Sequence, residues 1–209
     1  MTLDELLRSR RSVRSFRPEP PPDEVVERLI ELAVTAPSAS NKQPWRFVVV
    51  KKPEVIAAMA AAVREAVATV AEHVPMGSQE AFAAYGDYFT RFEGAPVVIA
   101  PIFRGHTVLS NLVSPSLPAE LHEAVVVLER DSGLVGASLA LMSLLLAAHD
   151  AGLGASAMTG PLLAAGRLKE ILGVPVSWGI VALVALGYAA GEPRPTERKA
   201  GSKVTRWIR

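Results

Sequence analysis

Hydrophobic residues recur at helical spacing in several segments, and residues that can begin a helix precede some of them. Thr2 followed by Glu5 is a capping-box pattern, which predicts a short helix over 3–9. We expect this helix to pack through its three leucines, Leu3, Leu6 and Leu7.

Asp23 can cap a second helix, and Pro37 ends it at Ala36. Its apolar positions are Val26, Leu29, Ile30 and Ala33. Further helices are predicted over 54–70, 134–148 and 162–172.

Runs rich in β-branched residues predict strands between these helices. The sequence F-V-V-V-K follows the loop P-S-A-S-N-K-Q-P-W and predicts a buried strand over 47–51. The runs over 95–103 and 180–188 predict two more strands. Strands that alternate with helices indicate an α/β mixture in two or three layers.

The helix over 134–148 is apolar on nearly every side and carries small residues among its leucines. These small residues are Gly136, Ala137, Ser138, Ala140 and Ser143. Such a helix is either the central core helix of one chain or is partly covered by a second subunit. We favour a dimer.

Length and composition indicate one globular domain over 1–209. Half of the 209 residues are hydrophobic, and no low-complexity linker divides the chain. There is no cysteine, which excludes disulfides and thiolate metal sites and favours a cytoplasmic protein. The apolar stretch over 134–148 is too short to span a membrane, and a net charge of +1 gives no general attraction to nucleic acid.

Two motif matches fail on context. G-L-G-A-S-A at 152–157 fits a dinucleotide fingerprint, but it follows a predicted helix instead of a strand. We interpret Gly152 as a helix C-cap. The second match is to the nucleophile elbow G-x-S-x-G at 154–158, but Met158 replaces its last glycine, so we interpret Ser156 as structural. The four histidines lack metal-ligand spacing, so we expect neither a metal site nor a catalytic histidine.

Arginines crowd the segment R-R-S-V-R-S-F-R at 10–17, which contains no acidic residue. A solvated basic face is one explanation. The alternative is a phosphate site, because Ser12 adds a hydroxyl donor and guanidinium forks suit phosphate. Val13 and Phe16 would tie the segment to the core. A second basic segment begins near 194 and includes Arg198 and Lys199.

Taken with these arginines, the stretch A-P-S-A-S-N-K-Q-P-W-R-F-V-V-V at 36–50 resembles the N-terminal signature of the FMN-dependent nitroreductase family. The strand A-P-V-V-I-A, the long helix running into G-L-G and the segment P-R-P-T-E-R-K are similar to later parts of that family. The resemblance implies an α+β fold, with a central, mainly antiparallel sheet flanked by helices, in an intertwined homodimer. It also implies two FMN molecules at the subunit interface.

By this resemblance, Arg10, Arg11 and Ser12 would hold the FMN phosphate and Arg14 would reach the pyrimidine edge of the flavin. The partner subunit would supply four further contacts, from Pro37, Ser38, Ala39 and Asn41. Thr159 and Gly160 would lie over the flavin, and Arg198 with Lys199 would bind the phosphate. Gln43 and Trp45 would brace the loop and pack in the core.

The implied function is reduction of nitroaromatics, quinones or related acceptors by NAD(P)H in a ping-pong mechanism that needs no catalytic acid or base. This chain has G-A-S-L at 136–139, where many members of the family have a Gln-Asn pair. It also has Ala157 where an aromatic residue often follows the G-L-G turn. A specialised flavin dehydrogenase or dehalogenase and a non-catalytic flavin-binding module are therefore kept as alternatives. Residues 71–94 and 104–130 carry no motif that identifies the acceptor.

Overall fold

The computed structural model describes residues 2–193 and 196–209. The helices are α1 (Leu3–Ser9), α2 (Asp23–Ala33), α3 (Pro53–Ala71), α4 (Gln79–Gly86), α5 (Ala119–Asp150) and α6 (Ala165–Leu172). The strands are β1 (Trp45–Val50), β2 (Val97–Phe103), β3 (Gly154–Met158), β4 (Gly179–Ile180) and β5 (Leu183–Gly187). Short 3₁₀ turns include Ala39–Asn41, Asp87–Gly94 and Gly160–Ala164.

The strands form one antiparallel sheet in the order β1-β2-β5-β3, with β4 paired to the end of β2. Trp45 lies opposite Phe103 in the β1–β2 pair, and Gly154 lies opposite Gly187 in the β3–β5 pair. The expected central antiparallel sheet flanked by helices is confirmed.

Alternating residues of the sheet enter two separate cores. Val97 and Ile99 pack with α2 and α5, whereas Val98 and Ala100 pack with α3 and α6. This period of two is the geometry of a strand buried on both faces. The molecule therefore has three layers, in which helices cover both sides of the sheet.

The predicted helix over 134–148 is part of a much longer one, α5. α5 is long and apolar enough to cross a membrane, with a mean hydropathy of 1.6 in its most apolar window. The shorter helix predicted from the sequence was not long enough to do so. One face of α5 lies against α2 and the sheet, as in the central helix of a globular fold. Its other face exposes large apolar side chains, among them Leu128, Val135, Leu139 and Met142.

The predictions about the first two helices need correction. α1 has its capping box, but Leu3 and Leu7 are 67% and 49% exposed, so within one chain the expected packing is limited to the half-buried Leu6. α2 ends at Ala33, and Pro22 occupies its N-cap position. Asp23 lies inside the first turn, where an acid suits the helix dipole, and its carboxylate pairs with Lys51 Nζ at 2.5 Å.

Candidate functional site: a basic groove at the edge of the sheet

The arginine-rich segment is fixed along the edge of β3. Ser12 forms a parallel bridge with Ala155, and the Val13 amide donates to the Ala155 carbonyl at 3.1 Å. Further along, Phe16 bridges Ala189, beyond the end of β5. Val13 is buried and Phe16 packs against the core, as expected. The backbone of the segment therefore covers a sheet edge, while the side chains of Ser12 and Arg14 remain exposed.

Gly154 allows this close approach. A Cβ atom at Gly154 would lie 2.7 Å from Cβ of Val13, well inside van der Waals contact. The C-cap residue of α5 is Ala151, and Gly152 is the next residue, where its φ of +73° ends the helix in the left-handed conformation. The predicted glycine stop is therefore one residue beyond the C-cap itself. The G-L-G-A-S-A stretch leads from a helix into β3, so it is not a dinucleotide fingerprint.

A groove runs along this edge and has three adjoining parts. The first is lined by Arg10, Arg11, Thr196 and Arg198, and the second by Ser12, Arg14, Tyr88, Thr196 and Arg198. The third is lined by Arg14, Tyr88, Phe89, Ala157 and Gly160. Neighbouring parts share lining residues and therefore adjoin, and we call the three together the basic groove.

The basic groove contains both paired and unpaired guanidinium groups. Arg8 pairs with Asp4, and Arg91 pairs with Asp87. Within 2–193 and 196–209, no carboxylate forms an ion pair with Arg10, Arg11, Arg14 or Arg198. Burial, followed by the positive charges of Arg198 and Arg11, lowers the pKa of Arg10. Cations gathered in this way repel one another, and a bound anion would relieve the repulsion.

His149, at the C-terminal end of α5, lies within the field of these cations. Its Nε2 is 2.8 Å from Ser9 Oγ. Burial is the main cause of its lowered pKa, and Arg10 and Arg11 add to the effect, while Asp150 opposes it. The imidazole is therefore held in its neutral form more strongly than usual.

The opposite end of the groove is bounded by small residues and aromatic rings. Ala157 faces outward from β3 and Thr159 is exposed. The Phe89 ring lies so close to Gly160 that a Cβ there would be 2.3 Å from its Cδ1. Tyr85 packs edge-on against Phe89, and the Arg91 guanidinium lies 3.7 Å from the centre of the Tyr88 ring. Sequence reasoning missed this aromatic wall, whose only signal is the run Y-G-D-Y-F within 71–94.

The loop expected to complete the site lies elsewhere in the same chain. Pro37 begins this loop, and Ser38 Oγ accepts the Gln43 amide at 2.9 Å. The positive φ values of Ser40, Asn41 and Gln43 mark a strained backbone. Gly136 of α5 makes room for the loop, since a Cβ there would lie 3.1 Å from Pro44.

The structure thus brings together some of the expected site residues but not all. The lining of the basic groove includes Arg10, Arg11, Ser12, Arg14, Gly160 and Arg198. Thr159 adjoins Gly160, whereas Lys199 is exposed and does not line the groove. Pro37, Ser38, Ala39 and Asn41 are not part of this lining, and Ala39 lines a separate cavity. Arg194 and Pro195 of the P-R-P-T-E-R-K segment lie outside the described residues.

Comparison with known proteins agrees with this three-layer fold. The family model of the Nitroreductase family matches residues 7–188, and the chain therefore belongs to that family. It is 34% identical over 213 residues to a protein named NADH dehydrogenase from Thermus thermophilus, covering 95% of this chain and 92% of that protein.

Two solved structures are similar over all of both chains. A BluB-like flavoprotein from Clostridium difficile 630 has a TM-score of 0.86 at 20% identity. A nitroreductase with bound FMN from Desulfitobacterium hafniense DCB-2 has a TM-score of 0.71 at 23% identity. These similarities show the fold of this chain, which is that of the Nitroreductase family.

Proposed function

We propose that the protein is an FMN-dependent oxidoreductase that accepts electrons from NADH or NADPH and passes them to a nitroaromatic, quinone or related acceptor. The observation that carries this proposal is a groove with four guanidinium groups that no carboxylate of the described residues pairs with, in a chain of the Nitroreductase family. The absence of cysteine fits a cytoplasmic enzyme.

The groove suits a long molecule that is anionic at one end and flat at the other. Arg10, Arg11 and Arg198 would hold a phosphate group at the first part of the groove. The Ser12 hydroxyl would add a donor, and Lys199 would assist from the surface. At the far end, the outward-facing Ala157 presents only a methyl group, and a planar ring system would lie there near the Phe89 ring, which fills the space that a Gly160 side chain would take.

Arg14 lies between these two ends, since it lines both the second and the third parts of the groove. When bound, FMN supplies the redox chemistry by accepting and releasing electrons at its isoalloxazine ring. A fixed guanidinium beside the pyrimidine edge would stabilise the negative charge that develops on reduction. We therefore assign Arg14 to charge stabilisation and assign no residue as an acid or base.

The proposed enzyme is a homodimer. The outer face of α5 exposes Leu128 and Val135, each at 57%, and α1 exposes Leu3 and Leu7. Apolar surface on this scale is typical of a subunit interface. A partner subunit would cover it and would supply Pro37, Ser38, Ala39 and Asn41 to complete the groove.

Visible spectroscopy tests the proposal directly. The purified protein should carry a yellow flavin that NADH or NADPH bleaches anaerobically and that menadione reoxidises. Steady-state kinetics should give parallel double-reciprocal lines, because one open flavin face would serve both substrates in turn. Intersecting lines would contradict the shared site.

The alternatives give different spectra. A flavin that dithionite reduces but NADH and NADPH do not would support a specialised dehydrogenase or dehalogenase. A flavin that no acceptor reoxidises would favour a non-catalytic binding module.

Arg14→Ala should slow the reduction while FMN stays bound, because the proposed interaction strengthens only as charge develops. Arg17→Ala, in the same segment but outside the groove, is the matched control.

A further inference from the structure

A second cavity lies on the other side of the sheet from α3, between the loop over 39–44 and the N-terminal half of α5. Its volume is about 280 Å³. The loop that follows β2 closes it through His106, Val108 and Leu109. Ala39, which lines this cavity, also belongs to the loop proposed to reach the cofactor of the partner subunit.

The walls of this cavity are held by specific contacts. A Cβ at Gly133 would lie 2.4 Å from the Arg104 carbonyl oxygen, so only glycine lets α5 approach the loop this closely. The Glu129 carboxylate accepts the amides of Val108 at 2.5 Å and Ser110 at 3.2 Å, and also the Ser110 hydroxyl at 2.5 Å. These hydrogen bonds lower the pKa of Glu129, which remains ionised and engaged with the loop.

The polar groups at the His106 side of the cavity are cationic or lack a partner. His106 Nε2 is buried, and no described residue offers it a hydrogen bond. Burial, and then the charges of Arg104, Lys42 and Arg46, lower the pKa of His106. In the part of the chain that the structure describes, none of these three cations forms an ion pair.

Two of these cations have a common aromatic neighbour. The guanidinium groups of Arg46 and Arg104 lie 5.8 and 5.4 Å from the centre of the Trp178 ring. Lys42 itself lines the cavity, together with the apolar side chains of Pro44 and Leu128. Of the three cations, only Lys42 lines the cavity, and Trp178 packs against the core on the other side of the sheet. The Glu129 carboxylate also lines the cavity but is engaged by Val108 and Ser110, which leaves the Lys42 ammonium and His106 Nε2 as its polar groups without a described partner.

We propose that this cavity binds the carboxylate of a small aromatic acid, with the ring against the apolar wall and the carboxylate toward Lys42 and His106. A carboxylate would supply a partner for His106 Nε2 and would offset the nearby cations. That this acid is an electron acceptor rests on the function proposed above, since Ala39 would bring the cavity beside the cofactor.

Calorimetric titration of the oxidised, FMN-loaded protein tests the binding alone. The probes are 4-nitrobenzoate and 4-nitrobenzamide, which have nearly the same shape and differ in charge. The carboxylate should bind at least about tenfold more tightly than the amide, which corresponds to one charge-assisted contact. Lys42→Met should remove this preference and leave the affinity for the amide unchanged, whereas Lys52→Met, outside the cavity, should alter neither.

A second variant tests the location. Val108→Phe, at a position that is 42% exposed, should weaken both ligands because it narrows the cavity without burying a new polar group. Equal affinities for the two probes, or a preference that survives Lys42→Met, would overturn the proposal.

The outcome can be separated from failure of the redox function. The redox function is measured separately, by reduction with NADH and reoxidation with menadione, an acceptor that has no carboxylate. If the protein binds 4-nitrobenzoate more tightly than 4-nitrobenzamide but NADH cannot reduce its flavin, the proposed carboxylate site stands. Only the role of the bound acid as an electron acceptor is then rejected.

Discussion

Replacing Arg10 with alanine should weaken FMN binding without destabilising the cofactor-free protein. Burial first, and then the positive charges of Arg198 and Arg11, lower the pKa of Arg10, so its charge is unfavourable in the groove when no anion is present. Its removal therefore relieves repulsion in the cofactor-free groove. In the loaded groove, the same change removes a charge-assisted contact to phosphate.

The expected magnitude follows from the strength of one charge-assisted contact. One charge-assisted hydrogen bond contributes about 1.5–3 kcal/mol, so the dissociation constant for FMN should rise about ten- to a hundredfold. At free FMN of about 100 times the original dissociation constant, binding stabilises the protein by about 2.7 kcal/mol. A hundredfold weaker variant would retain only about 0.4 kcal/mol at the same concentration.

Thermal unfolding with and without FMN measures both effects. For a chain of this size, about 2.7 kcal/mol corresponds to an FMN-dependent rise in Tm of about 5–10 °C, which should fall to about 1–2 °C in Arg10→Ala. The cofactor-free Tm should be unchanged or slightly higher. Arg17→Ala should behave like the unsubstituted protein. A lower cofactor-free Tm with an unchanged FMN dissociation constant would refute the reasoning and make Arg10 a structural residue.

Three further variants test other parts of the structure. Gly154→Ala places a methyl group against Val13 and should lower Tm by about 3–10 °C. Gly166→Ala is the control and should not lower Tm, because no atom lies within 4 Å of the added methyl group. Equal melting temperatures for the two variants would contradict the close packing at Gly154. The free energy of unfolding should fall as the pH drops below about 6.5, because folding lowers the pKa of His149 and the unfolded state therefore takes up a proton first. His149→Gln should make this fall smaller. His106, whose pKa is lowered by burial and then by the charges of Arg104, Lys42 and Arg46, should maintain part of that pH dependence in the variant. Val135→Glu, on the exposed face of α5, should yield monomers in sedimentation velocity, unlike Leu163→Glu on the 3₁₀ turn; a folded, FMN-loaded monomer of the unsubstituted protein would reject the dimer.

Local patterns were sufficient to predict the elements that have strong periodicity or clear boundaries. The capping box located α1, and Pro53 together with the β-branched run located β1 and the start of α3. β3 was missed because G-A-S-A-M has small residues and no β-branched side chain, although it lies beside β5 in the core. The first half of α5 was missed because Glu120, Glu129 and Asp131 interrupt its apolar run.

The basic groove was partly predictable because its arginines are adjacent in sequence. The position of Arg198 beside Arg10 depends on how the C-terminal segment returns to the first helix, which no local pattern records. The cavity around His106 is harder to predict from the sequence, because its walls come from residues near 40, 106 and 130. His106 stands alone in the sequence, and only the fold places three cations around it.

The basic groove joins residues that are far apart in the order of synthesis. Arg10 leaves the ribosome early, whereas Arg198 follows 188 positions later. At about 5–20 residues per second, this interval is about 10–40 s. A nascent chain during that time has the first cations of the phosphate end without the last one. Cofactor capture at full affinity is therefore possible only after residue 198 has been made.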